Sequence, residues 1–335
     1  MNRKITILGA GSWGTALAVF LSNKGNNVRL WGRNANQLDK ISFSRENEKY
    51  LPGISLKSNI IVTKDIEEAT KDADIIVCSV ASQALRSVIK EISPYLKEGA
   101  IIVNTAKGIE KGTFLRLSQV VYEEATNIKF AVLSGPSHAE EVSKGLPTTL
   151  VAASEDIKVA QEIQDLFMSD RLRVYTNPDV VGVELGGALK NIIALGAGIS
   201  DGMGFGDNAK AAMMTRGITE ISRLGIKLGA QHATFSGLSG IGDLIVTCTS
   251  LHSRNRRCGM LIGQGVKPQD AVKEIGMVVE GAFAAEAAFG LSKKIGVEMP
   301  ITEQIYYVMR EEISAKDAVI KLMSRDKKHE QEDIF

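Results

Sequence analysis

A glycine pattern near the N-terminus, Gly9-Ala-Gly-Ser-Trp-Gly14, constrains the fold more than any other feature of the sequence. It follows a short apolar segment, residues 4–8, and precedes a helical pattern, residues 15–24, and a second apolar segment, residues 27–31. In such a strand–turn–helix–strand unit, the first glycine allows a tight turn, the second admits a pyrophosphate, and the third lets the helix and strand pack closely. The free N–H groups at the helix N-terminus bind the phosphates. The sequence therefore predicts a dinucleotide-binding unit.

The end of the second predicted strand, Leu30-Trp-Gly-Arg-Asn34, bears on the choice of dinucleotide. A site that prefers NAD usually has an acidic residue here, which binds the ribose hydroxyls. The segment contains no Asp or Glu, and Arg33 is placed to meet a 2′-phosphate. A surface arginine without a ligand is the alternative interpretation. We therefore expect NADP to be preferred over NAD.

Apolar segments alternate with helical patterns up to about residue 178. We expect further strands at residues 74–79, 100–104, 129–133, 148–153 and 172–175, with helices between them, as at 83–95 and 114–124. This alternation predicts an α/β fold, a Rossmann-type doubly wound parallel sheet. Because ligands bind beyond the carboxyl ends of such strands, the turns that follow the strands should converge on one crevice.

Two of these turns contain residues suited to binding or capping. Lys107 lies beside Gly108, where its ammonium group could meet a phosphate or a polarised oxygen, although an exposed loop lysine is an equal alternative. Ser137 to Glu140 has the S-x-x-E pattern of a capping box, which predicts that a helix begins there.

The strand signals largely end after Asn177-Pro178, and helical patterns follow. We therefore place a dinucleotide-binding, Rossmann-type domain at residues 1–178 and an all-α, substrate-binding and catalytic C-terminal domain at residues 179–335. The last segment, residues 325–335, is highly charged, and we expect it to be frayed.

A long apolar run in the second half, residues 183–199, contains a single positive charge, Lys190. The run predicts a buried helix. The run contains four glycines, Gly186, Gly187, Gly196 and Gly198. Each glycine inside a helix lowers helix stability by roughly 1 kcal/mol relative to alanine, so their presence indicates that a neighbouring group packs closely against this helix. Burial would lower the pKa of Lys190 and suit it to act as a general base. The alternative is a lysine whose stem packs inside while its ammonium reaches water.

Other polar residues of the second half are candidates for substrate binding. Arg254, with Ser253 and Asn255, could bind an anionic group through its planar guanidinium, although a solvated basic loop is the alternative. Asp243, in a glycine-rich stretch, is either a functional carboxylate or a helix N-cap. The spacing of Cys248 from its neighbours lacks the paired cysteines of a zinc site, so we predict no metal. A nucleophilic role for this thiol lacks an adjacent base, which favours a structural cysteine.

The bulk properties exclude several classes of protein. The 335 residues have a net charge of +1 and no long basic tract, which argues against a nucleic-acid partner. No apolar run reaches the ~20 uninterrupted residues of a membrane span. Arg3-Lys4 and the apolar residues after them resemble a secretory signal, but the glycine pattern interrupts that run. Three cysteines cannot all pair with one another, which favours a reducing compartment, so we expect a cytoplasmic protein.

Taken together, these motifs resemble those of the bacterial NAD(P)-dependent glycerol-3-phosphate dehydrogenases. The resemblance covers about residues 1–320 and rests on several long, well-spaced motifs, at residues 9–16, 104–110, 134–137, 184–191, 206–210, 215–217, 242–244, 247–248, 253–255 and 279–281. Two positions depart from the family pattern. His138 stands where the family tends to have a bulky aromatic residue, and residues 280–285 are looser than the usual sequence.

The resemblance implies a role for each matching residue. Lys190 is similar to the proton acceptor of the family. The implied substrate contacts are Lys107, Gly135, Ser137, Lys190, Asn191, Asp243, Thr247, Ser253, Arg254 and Asn255. The implied cofactor contacts are Gly9, Gly11, Ser12, Trp13, Gly14, Arg33, Lys107, Ala139, Arg254, Val278 and Glu280.

The resemblance also implies an activity and partners. The expected reaction is the reversible reduction of dihydroxyacetone phosphate to sn-glycerol 3-phosphate with NADP or NAD, by a homodimer that supplies phospholipid synthesis. Two alternatives stay open. One is a related dehydrogenase of 2- or 3-hydroxy acids, whose arginine would bind a carboxylate, and the other is a non-enzymatic NADP-binding sensor. Substrate profiling would separate them.

Overall fold

The computed structural model describes residues 3–327, 329 and 330. These residues form two compact units, one within the ranges 1–106 and 117–180, the other within the ranges 107–116 and 181–335. Part of the charged tail predicted at 325–335, namely residues 328 and 331–335, lies outside the described residues, as do residues 1 and 2. The division into domains at residue 178 stays a prediction.

The first unit, here the sheet unit, contains the strands β1 Ile5–Leu8, β2 Val28–Trp31, β3 Glu46–Asn47, β4 Leu51–Ser55, β5 Ile60–Thr63, β6 Ile75–Cys78, β7 Ile101–Asn104, β8 Lys129–Ser134, β9 Thr148–Ala153 and β10 Leu172–Asn177. Strands β3 and β4 form a small hairpin, and the other eight form one sheet in the order β10-β9-β8-β7-β6-β1-β2-β5. Neighbouring strands run parallel except β8 and β9, which pair antiparallel. The predicted fold class is confirmed; the edge strand β5 and the hairpin escaped the sequence analysis.

Continuous apolar runs explain the central strands, since every residue of β1, β6 and β7 is buried, as expected where helices cover both faces of a parallel sheet. The helices of the sheet unit are α1 Ser12–Asn23, α2 Ala35–Ser44, α3 Ile66–Thr70, α4 Leu85–Ile92, α5 Leu117–Glu124, α6 Ala139–Ser143 and α7 Ile157–Phe167. Local capping fixes several of their starts. Asn34, Asp65 and Asp156 each accept a hydrogen bond from a backbone N–H in the first turn of the helix that follows.

The predicted capping box at residues 137–140 is wrong. Helix α6 begins at Ala139, and its N-cap residue, His138, makes no capping hydrogen bond through its side chain. The Ser137 hydroxyl instead donates to the carbonyl oxygen of Gly135 at 2.9 Å. Ser137 lies one residue before the N-cap position, so its hydroxyl bonds within the turn after β8 and does not cap the helix.

The second unit, here the helical unit, contains α8 Val180–Gly202, α9 Asp207–Lys227, α10 His232–Phe235, α11 Asp243–Thr249, α12 Arg254–Gly263, α13 Pro268–Ile275, α14 Glu280–Ile295, α15 Pro300–Met309 and α16 Ala315–Met323. Helix α8 lies at its centre, as the apolar run predicted. A Cβ atom at Gly186 would come within 2.5 Å of the Ser239 carbonyl oxygen, and one at Gly198 within 2.0 Å of the Arg256 carbonyl oxygen. The expected close neighbours of these glycines are therefore confirmed, because only a residue without a side chain fits there.

Helix α8 is long and apolar enough by length and composition to cross a membrane. In its most apolar window, however, 94% of the residues are buried inside the protein. The apolar side chains of this helix therefore contact other protein side chains, including Leu224, Leu244 and Ile305 of the same core.

Candidate active site

Helix α8 places Lys190 in the interior of the helical unit, with 5% of the residue exposed. Its Nζ donates to Asp243 Oδ1 at 2.5 Å and to Thr247 Oγ1 at 2.6 Å. Because the ammonium is held by buried partners, the alternative interpretation, in which it reaches water, is wrong. The predicted catalytic lysine therefore lies in a polar cluster within an apolar core.

Asp243 joins two lysines of this cluster. It is the first residue of α11, and the N-cap position belongs to Gly242, so the interpretation of Asp243 as a helix cap is wrong. Its Oδ2 accepts from Lys107 Nζ at 2.7 Å while its Oδ1 accepts from Lys190. Thr247 lies one turn further along α11, and its hydroxyl donates to the Asp243 carbonyl oxygen at 2.6 Å. One oxygen of the carboxylate and the Thr247 hydroxyl therefore hold the Lys190 amine, while the other carboxylate oxygen binds Lys107.

The pKa of Lys190 is lowered from its ordinary value of 10.5 to about 8. Burial is the largest cause, because a charged ammonium loses its hydration in the core. The negative charge of Asp243 raises the pKa, and the positive charge of Lys107 lowers it. Near neutral pH the amine can therefore exist in both protonation states, as a general acid–base group requires.

A second set of hydrogen bonds surrounds the residue next to the lysine. Asn191 Oδ1 accepts from Asn255 Nδ2 at 3.0 Å, and Asn255 Oδ1 accepts from the backbone N–H of Gly281 at 2.9 Å. Asn191 Nδ2 lies 3.4 Å from the Lys107 carbonyl oxygen. These bonds connect α8 with the starts of α12 and α14, so Asn255 has a structural task in addition to the substrate contact predicted for it.

The three arginines at residues 254–257 lie in different surroundings. Ser253 is the N-cap of α12 and accepts from the Arg256 N–H, while Arg254 is half-buried in the first turn. Arg256 donates to Asp201 at 2.8 Å and to the Thr249 carbonyl oxygen at 3.0 Å, so it fastens α12 to α8. Arg257 is exposed. Of the three, Arg254 lies at a helix N-terminus, which is suited to anions, and the anion-binding role expected for it stays a prediction.

In the sheet unit, the glycine turn has the geometry that its sequence predicts. Gly9 has a φ of +116°, which favours glycine, and a Cβ atom at Gly14 would lie 1.9 Å from the Gly9 carbonyl oxygen. A Cβ atom at Gly11 would meet nothing within 4 Å, so open space lies beside the turn. Asn47 secures the turn by donating to the Ala10 carbonyl oxygen at 3.0 Å and to Thr15 Oγ1 at 2.7 Å. These residues fit the pyrophosphate of a dinucleotide, whose approach requires an open, backbone-lined turn.

Several other predicted cofactor contacts lie in the same unit. Trp13 on α1 and Ala139 on α6 pack into one small apolar cluster, and Ser12 is buried at the start of α1. Arg33 follows β2, is about half exposed, and donates to Ser87 Oγ at 2.8 Å. Its guanidinium is accessible to a 2′-phosphate, with Glu91 Oε2 3.7 Å away as a weaker partner.

The remaining predicted contacts are divided between the units. Gly135, with a φ of +116°, and Ser137 lie in the turn after β8 of the sheet unit. Val278 and Glu280 lie at the start of α14 in the helical unit, and Lys107 belongs to that unit as well. The structure thus brings Lys107, Lys190, Asp243 and Thr247 into direct contact, whereas the roles predicted for the other residues stay predictions.

The cysteines are poor nucleophiles. Burial raises the pKa of the Cys248 thiol to about 12 and that of Cys258 to about 11. A thiolate is the reactive form, so these pKa values disfavour a covalent role for Cys248 near neutral pH. Among the residues that the structure describes, His, Cys, Asp and Glu form no group of three that could hold a metal ion.

Two buried carboxylates were not predicted from the sequence. Glu184 on α8 accepts from Arg116 at 2.6 Å, a residue 68 positions away that no local pattern connects to it. Glu220 on α9 accepts from the N–H groups of Ile301 and Thr302 at the start of α15, and burial raises its pKa to about 7. In the sequence, each of these two residues is recognisable only as a charged residue inside an apolar helical pattern, and such a pattern is weak evidence by itself.

Glu220 also lines a cavity of about 530 Å³ among α8, α9, α15 and α16. None of the predicted site residues lines this cavity. The cavity is largely apolar, whereas the chemistry suited to proton transfer lies at Lys190, so the polar cluster is the better candidate for the active site.

Comparison with known proteins shows the family of this chain. The family model described as the NAD-dependent glycerol-3-phosphate dehydrogenase N-terminus matches residues 4–160, and the corresponding C-terminus model matches residues 179–320. The glycerol-3-phosphate dehydrogenase [NAD(P)+] of Clostridium perfringens (strain SM101 / Type A) is 54% identical over 328 residues, which cover 98% of this chain and 99% of the relative. The Bacillus subtilis (strain 168) protein of the same name is 51% identical over 335 residues, covering 99% and 97%.

A solved structure gives the same result for the fold. The crystal structure of glycerol-3-phosphate dehydrogenase from Coxiella burnetii superposes with a TM-score of 0.94 at 38% identity, covering 97% of this chain and 99% of that one. Matches of this extent in both halves of the chain show its family. The chain belongs to the NAD-dependent glycerol-3-phosphate dehydrogenase family.

Proposed function

We propose that this protein is an NAD(P)-dependent oxidoreductase that interconverts dihydroxyacetone phosphate and sn-glycerol 3-phosphate, with Lys190 as the proton donor and acceptor. The observation that carries the proposal is the buried contact of Lys190 Nζ with Asp243 and Thr247. Family membership supports the reaction and the use of NAD or NADP.

The proton step follows from the protonation of Lys190. In reduction, the ammonium form donates a proton to the substrate oxygen as the carbonyl becomes an alcohol. In oxidation, the neutral amine accepts the proton of the secondary hydroxyl. A pKa of about 8 makes both forms accessible near neutral pH. Asp243 and Thr247 fix the direction of the Nζ hydrogen bonds, which positions the amine for this transfer.

We assign the phosphate of the substrate to the start of α12. Arg254 is a half-buried guanidinium in the first turn, and the N–H groups at a helix N-terminus attract anions. Holding the phosphate at a fixed site orients the reacting carbon relative to Lys190. The other substrate contacts that the family resemblance implies are Gly135, Ser137, Asn191, Ser253 and Asn255.

We assign the dinucleotide to the glycine turn of the sheet unit. When bound, its nicotinamide supplies or takes the hydride. Gly11 leaves open space for the pyrophosphate, and Gly9 and Gly14 hold the backbone of the turn in place. The accessible guanidinium of Arg33 supports a preference for NADP, because it can meet a 2′-phosphate. Ser12, Trp13, Lys107, Ala139, Arg254, Val278 and Glu280 are the further proposed contacts.

We extend the proposal to the biological setting, on the strength of the family resemblance. The protein is a cytoplasmic homodimer that works in the direction of reduction and supplies glycerol 3-phosphate to phospholipid synthesis. Sedimentation would test the dimer, and fractionation of cells would test the location.

The test is the oxidation of NADPH and of NADH, measured separately, with dihydroxyacetone phosphate as acceptor. Turnover with this acceptor supports the reaction, and a higher kcat/KM with NADPH supports the role of Arg33. A panel of 2-keto and 3-keto acids serves as the comparison. Turnover with a keto acid alone would favour a hydroxy-acid dehydrogenase, and absence of turnover with every acceptor would favour an NADP-binding sensor.

A further inference from the structure

Residues 107–116 connect β7 to α5 and belong to the helical unit. This segment, here the 107–116 loop, folds back on itself. The Glu110 N–H donates to the Leu115 carbonyl oxygen at 3.0 Å, and Ile109 and Arg116 form an antiparallel bridge. This backbone pairing holds the two ends of the loop together.

Two charged residues at the ends of the loop contact buried carboxylates. Lys107 Nζ lies 2.7 Å from Asp243 Oδ2. Arg116 Nη1 lies 2.6 Å from Glu184 Oε2, and only 20% and 4% of these two side chains are exposed. A third ion pair of the loop, Lys111 with Glu286 at 2.9 Å, is at the surface, with 54% and 39% of the side chains exposed.

The position of Glu184 on α8 connects this ion pair with the candidate active site. Glu184 precedes Lys190 by six residues on the same helix (190 − 184), which is about 9 Å along the helix axis. Arg116 is bridged to Ile109, two residues after Lys107. The loop is therefore attached to the lysine helix at one end and to the carboxylate partner of that lysine at the other.

We propose that Arg116 and Glu184 are positioning residues for the proton transfer, because their ion pair holds the 107–116 loop on α8 and so keeps Lys107 bound to Asp243. The inference rests on the proposed function of Lys190. The groups that face the Lys190 amine are Asp243, Thr247 and Cys248 from α11 and Lys107 from the loop. A shifted loop would withdraw Lys107 from Asp243. The Asp243 carboxylate would then interact with Lys190 alone, and the repulsion between the two lysines would end. Both changes raise the pKa of Lys190.

The test variant is Arg116→Met/Glu184→Met, which removes both charges together. Changing one partner alone would leave a buried charge without its ion pair and could unfold the protein. The matched control is Lys111→Met/Glu286→Met, which removes the exposed ion pair of the same loop. We expect the test variant to lower kcat by about 10- to 100-fold, as a misplaced catalytic group does. We also expect the pH profile of glycerol 3-phosphate oxidation to move to higher pH, with KM for NADPH unchanged. The control should keep the kcat and pH profile of the unmodified protein.

A folded test variant with unchanged kcat and pH profile would overturn the inference, and so would one with a lowered Tm alone. Circular dichroism establishes that the variant is folded. If the double variant does not fold, Glu184→Gln takes its place, because it removes the charge but keeps an acceptor for Arg116. Its kcat and pH profile are measured in the same way, and unchanged values would overturn the inference. Arg116→Lys, which keeps a cation, should restore part of the lost kcat. Failure of the unmodified protein to reduce dihydroxyacetone phosphate would instead refute the proposed function.

Discussion

The glycine turn of the sheet unit and the lysine cluster of the helical unit are assembled over very different distances along the chain. In the turn, the decisive approach is between Gly14 and the carbonyl oxygen of Gly9, five residues apart. In the cluster, Asp243 contacts Lys190 across 53 residues and Lys107 across 136. The first arrangement can be recognised from local spacing, whereas the second depends on how helices pack.

The two regions also differ in how they generate chemistry. The turn exposes backbone groups and open space, and its function depends on the absence of side chains at Gly9, Gly11 and Gly14. The cluster depends on charged side chains removed from water, which is why the pKa of Lys190 falls to about 8. A single change should therefore affect the turn through sterics and the cluster through electrostatics.

The largest expected effect comes from removing the amine of the cluster. Lys190→Met should lower turnover of dihydroxyacetone phosphate by about 10²- to 10⁴-fold, the contribution of a general acid–base group. NADPH binding, measured by fluorescence titration, should stay near that of the unmodified protein, since the glycine turn is intact. Lys111→Met, at an exposed lysine of the same unit, is the control and should be fully active. Near-normal turnover of Lys190→Met would remove this lysine from the role.

The next largest effects are expected from two alanine substitutions in the glycine turn. One should affect the stability of the fold and the other the binding of NADPH. Gly14→Ala would place a methyl group 1.9 Å from the Gly9 carbonyl oxygen, and we expect it to reduce the free energy of unfolding by about 1–3 kcal/mol. Gly11→Ala adds a methyl that meets nothing within 4 Å, so stability should hold while NADPH affinity falls. Denaturant unfolding and NADPH titration measure both quantities. Equal affinity of Gly11→Ala and the unmodified protein for NADPH would contradict the proposed pyrophosphate site.

A smaller effect is expected at the 2′-phosphate. Arg33→Ala should raise KM for NADPH by about tenfold, the value of one charged hydrogen bond, and leave KM for NADH unchanged. NADH is the internal control, because it lacks the phosphate. A parallel rise in both KM values would show that Arg33 acts through the structure of the turn and not through the phosphate.

The smallest effect is that of pH on the unmodified enzyme. The neutral amine of Lys190 is the base for oxidation, and its pKa is about 8. Oxidation of glycerol 3-phosphate should therefore increase up to about tenfold from about pH 7 to about pH 9, where deprotonation nears completion. Reduction requires the protonated form and should slow over the same range. An oxidation rate independent of pH across this range would argue against Lys190 as the base.

Much of the fold followed from local patterns. The apolar runs of β1, β6 and β7 and the glycine turn predicted a parallel sheet with a dinucleotide site, because strand period and turn geometry are properties of short segments. The antiparallel pairing of β8 with β9 did not follow, since a buried apolar run carries no information on strand direction. The capping box at Ser137 was wrong because the helix begins one residue later than the pattern requires, with His138 at the N-cap.

By itself, the sequence determined that α8 is a buried helix with a lysine inside it, that glycines let its neighbours approach, and that a dinucleotide turn opens the chain. Only the tertiary structure decided that Asp243 is a shared carboxylate and not a helix cap, and that Arg116 and Glu184 fasten the loop that carries Lys107. The reason is physical: backbone conformation depends on neighbouring residues, whereas the pKa and partner of a buried charge depend on groups that folding brings from distant parts of the chain.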